Sequence, residues 1–341
     1  MREKRRLRTS HLDRPGITRV RSGRGFRYKD ASGHVITDPA EKERLRALVI
    51  PPAWQDVWIC PWPNGHLQAV GTDAAGRRQY LYHPWFRERQ EQAKHDHVLE
   101  VARALPDVRA QVTADLARRG LCRARVLACA VRLLDLGFFR IGNESYRRDN
   151  GTYGLTTLLK EHASCRAGEV SLTYPAKYSK TQTRALSDPP ACKVLRTLMR
   201  RGGESPRLFA YWQGGAWHEL SAAELNEYLR ESAGRDITAK DFRTWHATVL
   251  AAVALAVSAR VAEESRTARK GAVTRAVREV STYLGNTPAV CRASYINPRI
   301  VELFEEGRTI ADSLEKLGDG AAFGHPATQG PIEEAVLRLL A

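Results

Sequence analysis

The sequence predicts an α+β protein, in which a small β-rich N-terminal domain precedes a larger, mainly α-helical domain that carries a small β-hairpin sheet. Three observations lead there. Residues 1 to about 90 are punctuated by Gly and Pro, including the Pro51-Pro52 break, and hold short alternating runs at Gln55 to Ile59 and Gln79 to Tyr82, the period of half-buried strands. Further on, apolar residues recur at helical spacing, as in Cys122 to Leu136. The length of 341 residues suits about two domains, which we place at 1–90 and 91–341.

In chain order, the charged stretch Phe86 to Lys94 reads as a connecting helix. Cys122 to Leu136 reads as a helix stopped by Gly137, a suitable C-terminal cap. A β island follows, with strands expected at Leu155 to Leu159, Val170 to Tyr174 and Thr181 to Leu186. Ala167-Gly168 turns between the first two, and Lys177 and Lys180 fall in the hairpin loop before the third. A further helix begins at Thr238, paired with Asp241 in the manner of a capping box. Phe242, Trp245, Val249, Val253 and Ala256 give it a buried stripe, and Arg243 lies one residue off that stripe near the helix start. A helix N-terminus favours anions, so the arginine is placed to meet a phosphate.

Composition narrows the partner. Lys and Arg number 54 against 38 Asp and Glu, a net charge of +16, and binding that neutralises phosphates releases counterions. With 43% hydrophobic residues the chain buries ordinary cores. Six scattered cysteines (Cys60, Cys122, Cys129, Cys165, Cys192 and Cys291) form no C-x-x-C pair, so neither a zinc site nor a disulfide framework is legible. The basic N-terminus has no apolar run behind it, and the most apolar stretch, Val249 to Val257, is too short to span a bilayer. A reduced cytoplasmic or nucleoid location is the expectation, with no membrane partner.

The chemistry concentrates in three segments. Ser294-Tyr-Ile-Asn-Pro-Arg-Ile300 offers a tyrosine on a short polar stretch, while Phe139-Arg-Ile-Gly-Asn-Glu144 and Lys240-Asp-Phe-Arg-Thr-Trp245 each present an arginine. A phenol with a pKa of about 10 is a poor nucleophile without help. Guanidinium groups supply it, since they grip phosphate in a planar, bidentate way and stabilise charge that develops there. Two arginines and a tyrosine in a basic chain therefore point to attack of tyrosine on a nucleic-acid phosphodiester.

Arg140-Ile-Gly-Asn-Glu144, Asn150-Gly-Thr-Tyr-Gly-Leu-Thr-Thr-Leu158, the Lys177 hairpin, Lys240-Asp-Phe-Arg-Thr244 and Leu284-Gly-Asn-Thr-Pro288 leading to Ser294-Tyr-Ile296 resemble the type IB DNA topoisomerases, in their short bacterial and poxvirus-like form. Gly71-Thr-Asp-Ala-Ala-Gly-Arg-Arg-Gln-Tyr-Leu-Tyr-His-Pro84 resembles the DNA-facing β domain of that family, so the likeness runs over nearly the whole chain. It implies that Tyr295 attacks the scissile phosphate to give a 3′-phosphotyrosyl link and a free 5′-hydroxyl. Arg140 and Arg243 would hold the non-bridging oxygens, and Lys177 would be the general acid for the 5′-oxygen, with Lys180 a competitor nearby. Many family members have a histidine nine residues before the tyrosine, where this chain has Asn286. An amide donates a hydrogen bond there but carries no positive charge.

Arg78, Gln79, Tyr80 and Tyr82 are expected to contact DNA, as is Tyr146 just after the Arg140 segment. The basic run Arg19 to Arg27 suits phosphate contact or a solvated strand and turn. The resemblance implies a monomer that closes as a clamp around double-stranded DNA and relaxes supercoils of either sign. No carboxylate cluster lies beside Tyr295 and no P-loop is present, so neither metal nor ATP is expected, and no cofactor. Two other readings stay open: a tyrosine recombinase, and a non-catalytic DNA-binding protein.

Overall fold

Alternating strands and turn residues build the first part of the chain, helices the second. A computed structural model describes residues 6–176, 180–262, 265–316 and 328–341. It is a mixed α/β structure with an N-terminal β sheet and a mostly helical larger region, and the chain divides after His95.

The first unit holds strands β1 (Ile17–Ser22) and β2 (Gly25–Lys29), helix α1 (Pro39–Ala47), then β3 (Gln55–Ile59), β4 (Leu67–Thr72) and β5 (Arg78–Tyr82). They form one antiparallel sheet in the order β2-β1-β3-β4-β5. Ile17, Val57, Ile59 and Ala69 from the sheet bury against Leu45 of α1 and Ile50. Asp38 caps α1 by accepting a bond from the Glu41 amide at 2.9 Å, and Pro39 occupies the first turn where no donor is needed. The Arg19 guanidinium donates to the carbonyls of Ile50, Pro51 and Trp54 (2.9, 3.0 and 2.8 Å), which pins the loop after α1. The basic run Arg19 to Arg27 is thus a strand pair, with its first arginine committed to the fold.

Helix α2 (Pro84–Leu116) leaves this unit and runs into the next. It is far longer than the expected segment Phe86 to Lys94, because Val98, Val101, Leu105, Val108 and Val112 extend a buried stripe past the charged start. The second unit continues with α3 (Arg123–Gly137), α4 (Glu144–Asn150), β6 (Ala163–Arg166), β7 (Glu169–Ala176), β8 (Lys180–Ser187), α5 (Pro189–Arg200), β9 (Ala210–Gln213) and β10 (Ala216–Glu219). Helices α6 (Ala222–Ala233), α7 (Ala239–Ala262), α8 (Arg266–Leu284), α9 (Pro288–Ser294), α10 (Pro298–Glu305) and α11 (Pro331–Leu340) complete it. Strands β6-β7-β8 form one antiparallel sheet and β9-β10 a ribbon.

Helix α7 is the central element. Phe242, Trp245, Val249 and Ala256 are all buried. By length and composition Ala239–Ala259 is apolar enough to cross a membrane, unlike the shorter Val249 to Val257 stretch, yet about two thirds of it is buried inside this unit. A buried ionic cluster fastens it to its neighbours. Arg109 of α2 grips Asp135 of α3 and Glu333 of α11 in paired bonds of 2.6–3.0 Å. Trp245 donates to Glu333 at 2.8 Å, and His246 meets Asp135 at 3.0 Å. Burial alone would raise the Asp135 carboxyl, but Arg109 and His246 hold it far below the usual carboxylate range.

Four local expectations change. Leu155–Thr157 is a 3₁₀ turn, not a strand, because its amides bond back to the Arg140–Ile141 segment. The Ala167-Gly168 turn joins β6 to β7 instead, with both residues at positive φ (47° and 86°). Gly137 is the last residue of α3, and Phe138 takes the left-handed cap position at φ 57°. Lys180 begins strand β8, paired with Ala176, and is not in the loop, whereas Lys177 lies outside the described residues.

Candidate active site

The Arg140 segment has no regular structure of its own and is held by backbone bonds to the turn after α4. Leu155 N donates to Arg140 O and Thr156 N to Ile141 O, both at 2.8 Å, and the Thr156 hydroxyl adds a third bond to Ile141 O at 2.9 Å. The two stretches approach so closely that a Cβ on Gly154 would lie 2.5 Å from Gly142 Cα and 2.8 Å from Arg140 O. Gly142 itself sits at φ 99°, open only to glycine at low cost. The glycines of both motifs therefore serve one purpose, to set the backbone that carries Arg140.

Arg243 enters from the second turn of α7. Thr238 and Asp241 cap that helix as expected, the carboxylate accepting from the Thr238 amide and hydroxyl at 2.8 Å. The Arg243 side chain is buried at 4% exposure and donates to Leu284 O at 2.8 Å and to Phe138 O. Those two carbonyls stand at the C-terminal ends of α8 and α3, where helices leave acceptors unpaired. Burial lowers the Arg243 pKa below the ordinary guanidinium value, Tyr295 pushes it back up, and the Arg140 charge lowers it further.

Asn286 follows Gly285, the left-handed cap of α8 at φ 62°. Its Oδ1 accepts from Arg140 Nη2 at 2.6 Å, and the same Nη2 reaches Gly285 O at 3.0 Å. That contact turns the amide nitrogen away from Arg140.

Tyr295 sits at the break between α9 and α10. Asn297 caps α10 by accepting from the Arg299 amide at 3.0 Å, and Pro298 takes the first helical position, which explains the Tyr-Ile-Asn-Pro-Arg order. Ile296 is buried, so the tyrosine is anchored from behind while its own ring stays half-buried. The Arg243 guanidinium carbon lies 5.3 Å from the ring centroid. Thr248, one turn beyond Arg243 on α7, fixes the backbone on both sides of the tyrosine. Its hydroxyl, whose proton is shared between Thr244 O at 2.9 Å and Tyr295 O at 3.3 Å, accepts from Asn297 N at 3.1 Å.

Arg140, Arg243, Asn286 and Tyr295 thus converge from four separate segments. Two buried donors among them, Arg243 Nε and Asn286 Nδ2, have no hydrogen-bond partner. Buried N–H groups are nearly always paired, so these two orphans, one on the Arg243 guanidinium itself, with the Arg140 guanidinium beside them offer donors to an oxyanion. Cys291 lies under the same turn. Burial raises its thiol to about 11, which keeps it neutral despite the nearby Arg243 charge.

The remaining expected residues fall elsewhere. Arg78, Tyr80 and Tyr82 lie along β5 in the first unit, with the two tyrosine rings stacked 6.2 Å apart and exposed by 45% and 36%. Gln79 alternates onto the opposite pleat and gives its amide to Asp73 at 2.8 Å. Tyr146 is a residue of α4, and the tip of the Lys177 hairpin is outside the described residues. Sequence reasoning did not single out Phe138 or Thr248. Neither carries reactive chemistry, and only the Thr248 position, five residues after Arg243, hints at a role.

The chain is similar to known proteins over most of its length. Residues 83–317, more than two thirds of the chain, match the model of the eukaryotic DNA topoisomerase I catalytic core. Residues 25–73 match the N-terminal domain of bacterial DNA topoisomerase IB. The chain is 28% identical to DNA topoisomerase 1B of Acanthamoeba polyphaga mimivirus, over 85% of its own length and 88% of the viral protein. It is 20% identical to DNA topoisomerase I of Monkeypox virus and to DNA topoisomerase 1B of Vaccinia virus (strain Copenhagen), each over 84% of this chain and 89% of the relative.

Proposed function

We propose, from the premise that this chain belongs to the type IB DNA topoisomerase family, that it relaxes supercoiled duplex DNA by transient nicking of one strand at Tyr295. The observation that carries this reading is the oxyanion cradle of Arg140, Arg243 and Asn286 beside the tyrosine, with two buried donors left open. Tyr295 Oη attacks the phosphorus and its proton passes to solvent. The bond from phosphorus to the 5′-oxygen breaks, and a 3′-phosphotyrosyl ester forms. Lys177 protonates the departing 5′-oxygen, a contribution of about 10²–10⁴-fold in rate. Arg140 and Arg243 neutralise charge on the non-bridging oxygens, and Asn286 Nδ2 adds one neutral donor.

The ester conserves the energy of the broken diester, so religation is the same step in reverse and needs neither ATP nor metal. Between the two steps the free strand end rotates, which removes supercoils of either sign. The two units of the chain would close around the duplex as a clamp, with Arg78, Tyr80 and Tyr82 on the DNA side, and the protein would act as a monomer in the nucleoid.

The test is relaxation of negatively and positively supercoiled plasmid in excess EDTA without ATP, with a detergent quench to trap protein on DNA. Wild type is expected to relax both and to trap covalently. Tyr295→Phe, which removes one hydroxyl, is expected to bind DNA and trap none. A strict need for metal or ATP, or covalent trapping by Tyr295→Phe, overturns the proposal. The recombinase reading predicts strand exchange between two sites, and the non-catalytic reading predicts no trapping at all.

A further inference from the structure

The sheet of the first unit has two unlike faces, and strand register identifies them. Ile17, Ile59, Ala69 and Leu81 form one rung, covered by Leu45 of α1 and by Ile50. The opposite pleat holds another rung through all five strands: Lys29, Thr18, Trp58, Val70 and Tyr80. Beside it lie a rung of Gln55, Thr72 and Arg78 and the pair Val20 and Arg27. Thr18, Arg27 and Arg78 are exposed, as are Val20 (43%) and Tyr80 (45%). Lys29 and Trp58 are half-buried, the Trp58 indole donating to Arg14 O at 3.1 Å, and Val70 is buried. Arg27 is held in place by a 2.8 Å bond to Ser22 on the same pleat.

Charge selects the occupant. Arg27, Lys29 and Arg78 lie on this face, and the only carboxylate within the five strands is Asp56, at the β3 bulge. A cationic, partly aromatic sheet face, buried at Val70 in its middle and exposed at Thr18, Val20, Arg27, Arg78 and Tyr80, suits a polyanion with flat apolar elements, and duplex DNA has both. Width then divides the labour. Four inter-strand spacings separate β2 from β5, about 19 Å, whereas the major groove is about 12 Å wide. The whole sheet cannot enter a groove. If the edge strand β5 places Tyr80 and Tyr82 in it, β2 must lie over the flanking sugar-phosphate backbone.

We infer that Arg27 and Lys29, on the strand farthest from Tyr80, are phosphate contacts which anchor the duplex across the full width of this sheet. This rests on the topoisomerase reading and extends its DNA surface beyond β5. The contacts supply affinity and register but no sequence preference, whereas the β5 aromatics supply any preference there is.

The experiment uses the full chain and a labelled duplex, with affinity measured from 50 to 200 mM salt. Each lost phosphate contact lowers the slope of log K against log[salt] by about 0.9. For Arg27→Gln with Lys29→Gln the slope is expected to drop by about 1.8, which shrinks the affinity loss over that range by about tenfold. Single-turnover cleavage at saturating protein is expected to stay at the wild-type rate. Arg27→Lys with Lys29→Arg is expected to keep the full slope, which separates charge from folding. Lys42→Gln with Arg46→Gln, on α1 at the covered face, is expected to change nothing. An unchanged slope in the Gln pair overturns the inference, as does an equal drop in the α1 pair. Failure of the wild type to trap on DNA would sink the topoisomerase reading instead, a separate outcome.

Discussion

Arg140 and Arg243 are proposed to serve one transition state, yet the structure gives them different relations to the fold, and removal of each should reveal it. Arg243 is buried and satisfies two carbonyls at helix ends, Phe138 O and Leu284 O. Arg243→Ala orphans both, at about 1–3 kcal/mol each, and releases the strain of a buried guanidinium, whose pKa burial already lowers. The net loss is about 2–4 kcal/mol. For a unit of this size each kcal/mol moves the midpoint by about 2–4 °C, so a drop of roughly 4–16 °C is expected. Arg140 donates to Gly285 O and Asn286 Oδ1 at a half-buried position. Arg140→Ala should therefore leave the midpoint within about 2 °C of wild type, as surface changes do. Both variants should lose about 10²–10³-fold or more in single-turnover cleavage, the cost of one oxyanion donor, with DNA affinity nearly kept. The assays are thermal denaturation and rapid-quench cleavage of an oligonucleotide duplex under saturating enzyme. Equal melting losses for the two arginines, or cleavage within threefold of wild type in either, would refute the reasoning.

Gly154→Ala places a methyl group against Gly142 and the Arg140 carbonyl, which pushes the Arg140 segment outward. Cleavage should fall by about 10²-fold, as for a misplacement of about 1 Å, with unchanged binding; wild-type cleavage would show that the close approach is not required. Lys177→Ala should lose about 10²–10⁴-fold on an ordinary substrate and recover on one with sulfur at the 5′-bridging position, since a thiolate leaves without a proton. Recovery by Lys180→Ala in its place would move the acid to that residue. Asp135 is held below its unfolded value of about 3.9, so its ion pairs stabilise the fold above that value and are lost as pH falls through the lower folded pKa. Melting midpoints should decline below about pH 4, and Asp135→Asn should start lower at neutral pH and flatten that decline; an equally steep decline in the variant would refute the assignment. Val49, 81% exposed at φ 48°, occupies a helix-cap position that suits Gly or Asn. Val49→Asn should stabilise the protein by about 1 kcal/mol, and a lower melting midpoint would contradict the strain.

How far the sequence reaches depends on what a residue does. Tyr295, Arg140 and Arg243 are legible because the proposed chemistry calls for those side chains, Asn286 is legible only by its position in the family resemblance, and the structure brings all four together. What escapes is backbone geometry set by distant contacts. Gly137 looks like a helix cap, yet a Cβ there would lie 2.1 Å from the Phe139 ring. Its missing side chain makes room for that ring, and the left-handed turn passes to Phe138, whose carbonyl then serves Arg243. Leu155 to Leu159 has the composition of a strand, but the Leu155 and Thr156 amides are claimed by the Arg140 and Ile141 carbonyls. In each case tertiary demand overrides local propensity, and both times the override lies in the backbone that holds one of the two arginines proposed to act on the phosphate. The misread elements are therefore part of the site's construction. Substitutions at Gly137 or Leu155, remote from any reacting atom, should act on cleavage through Arg243 and Arg140 respectively.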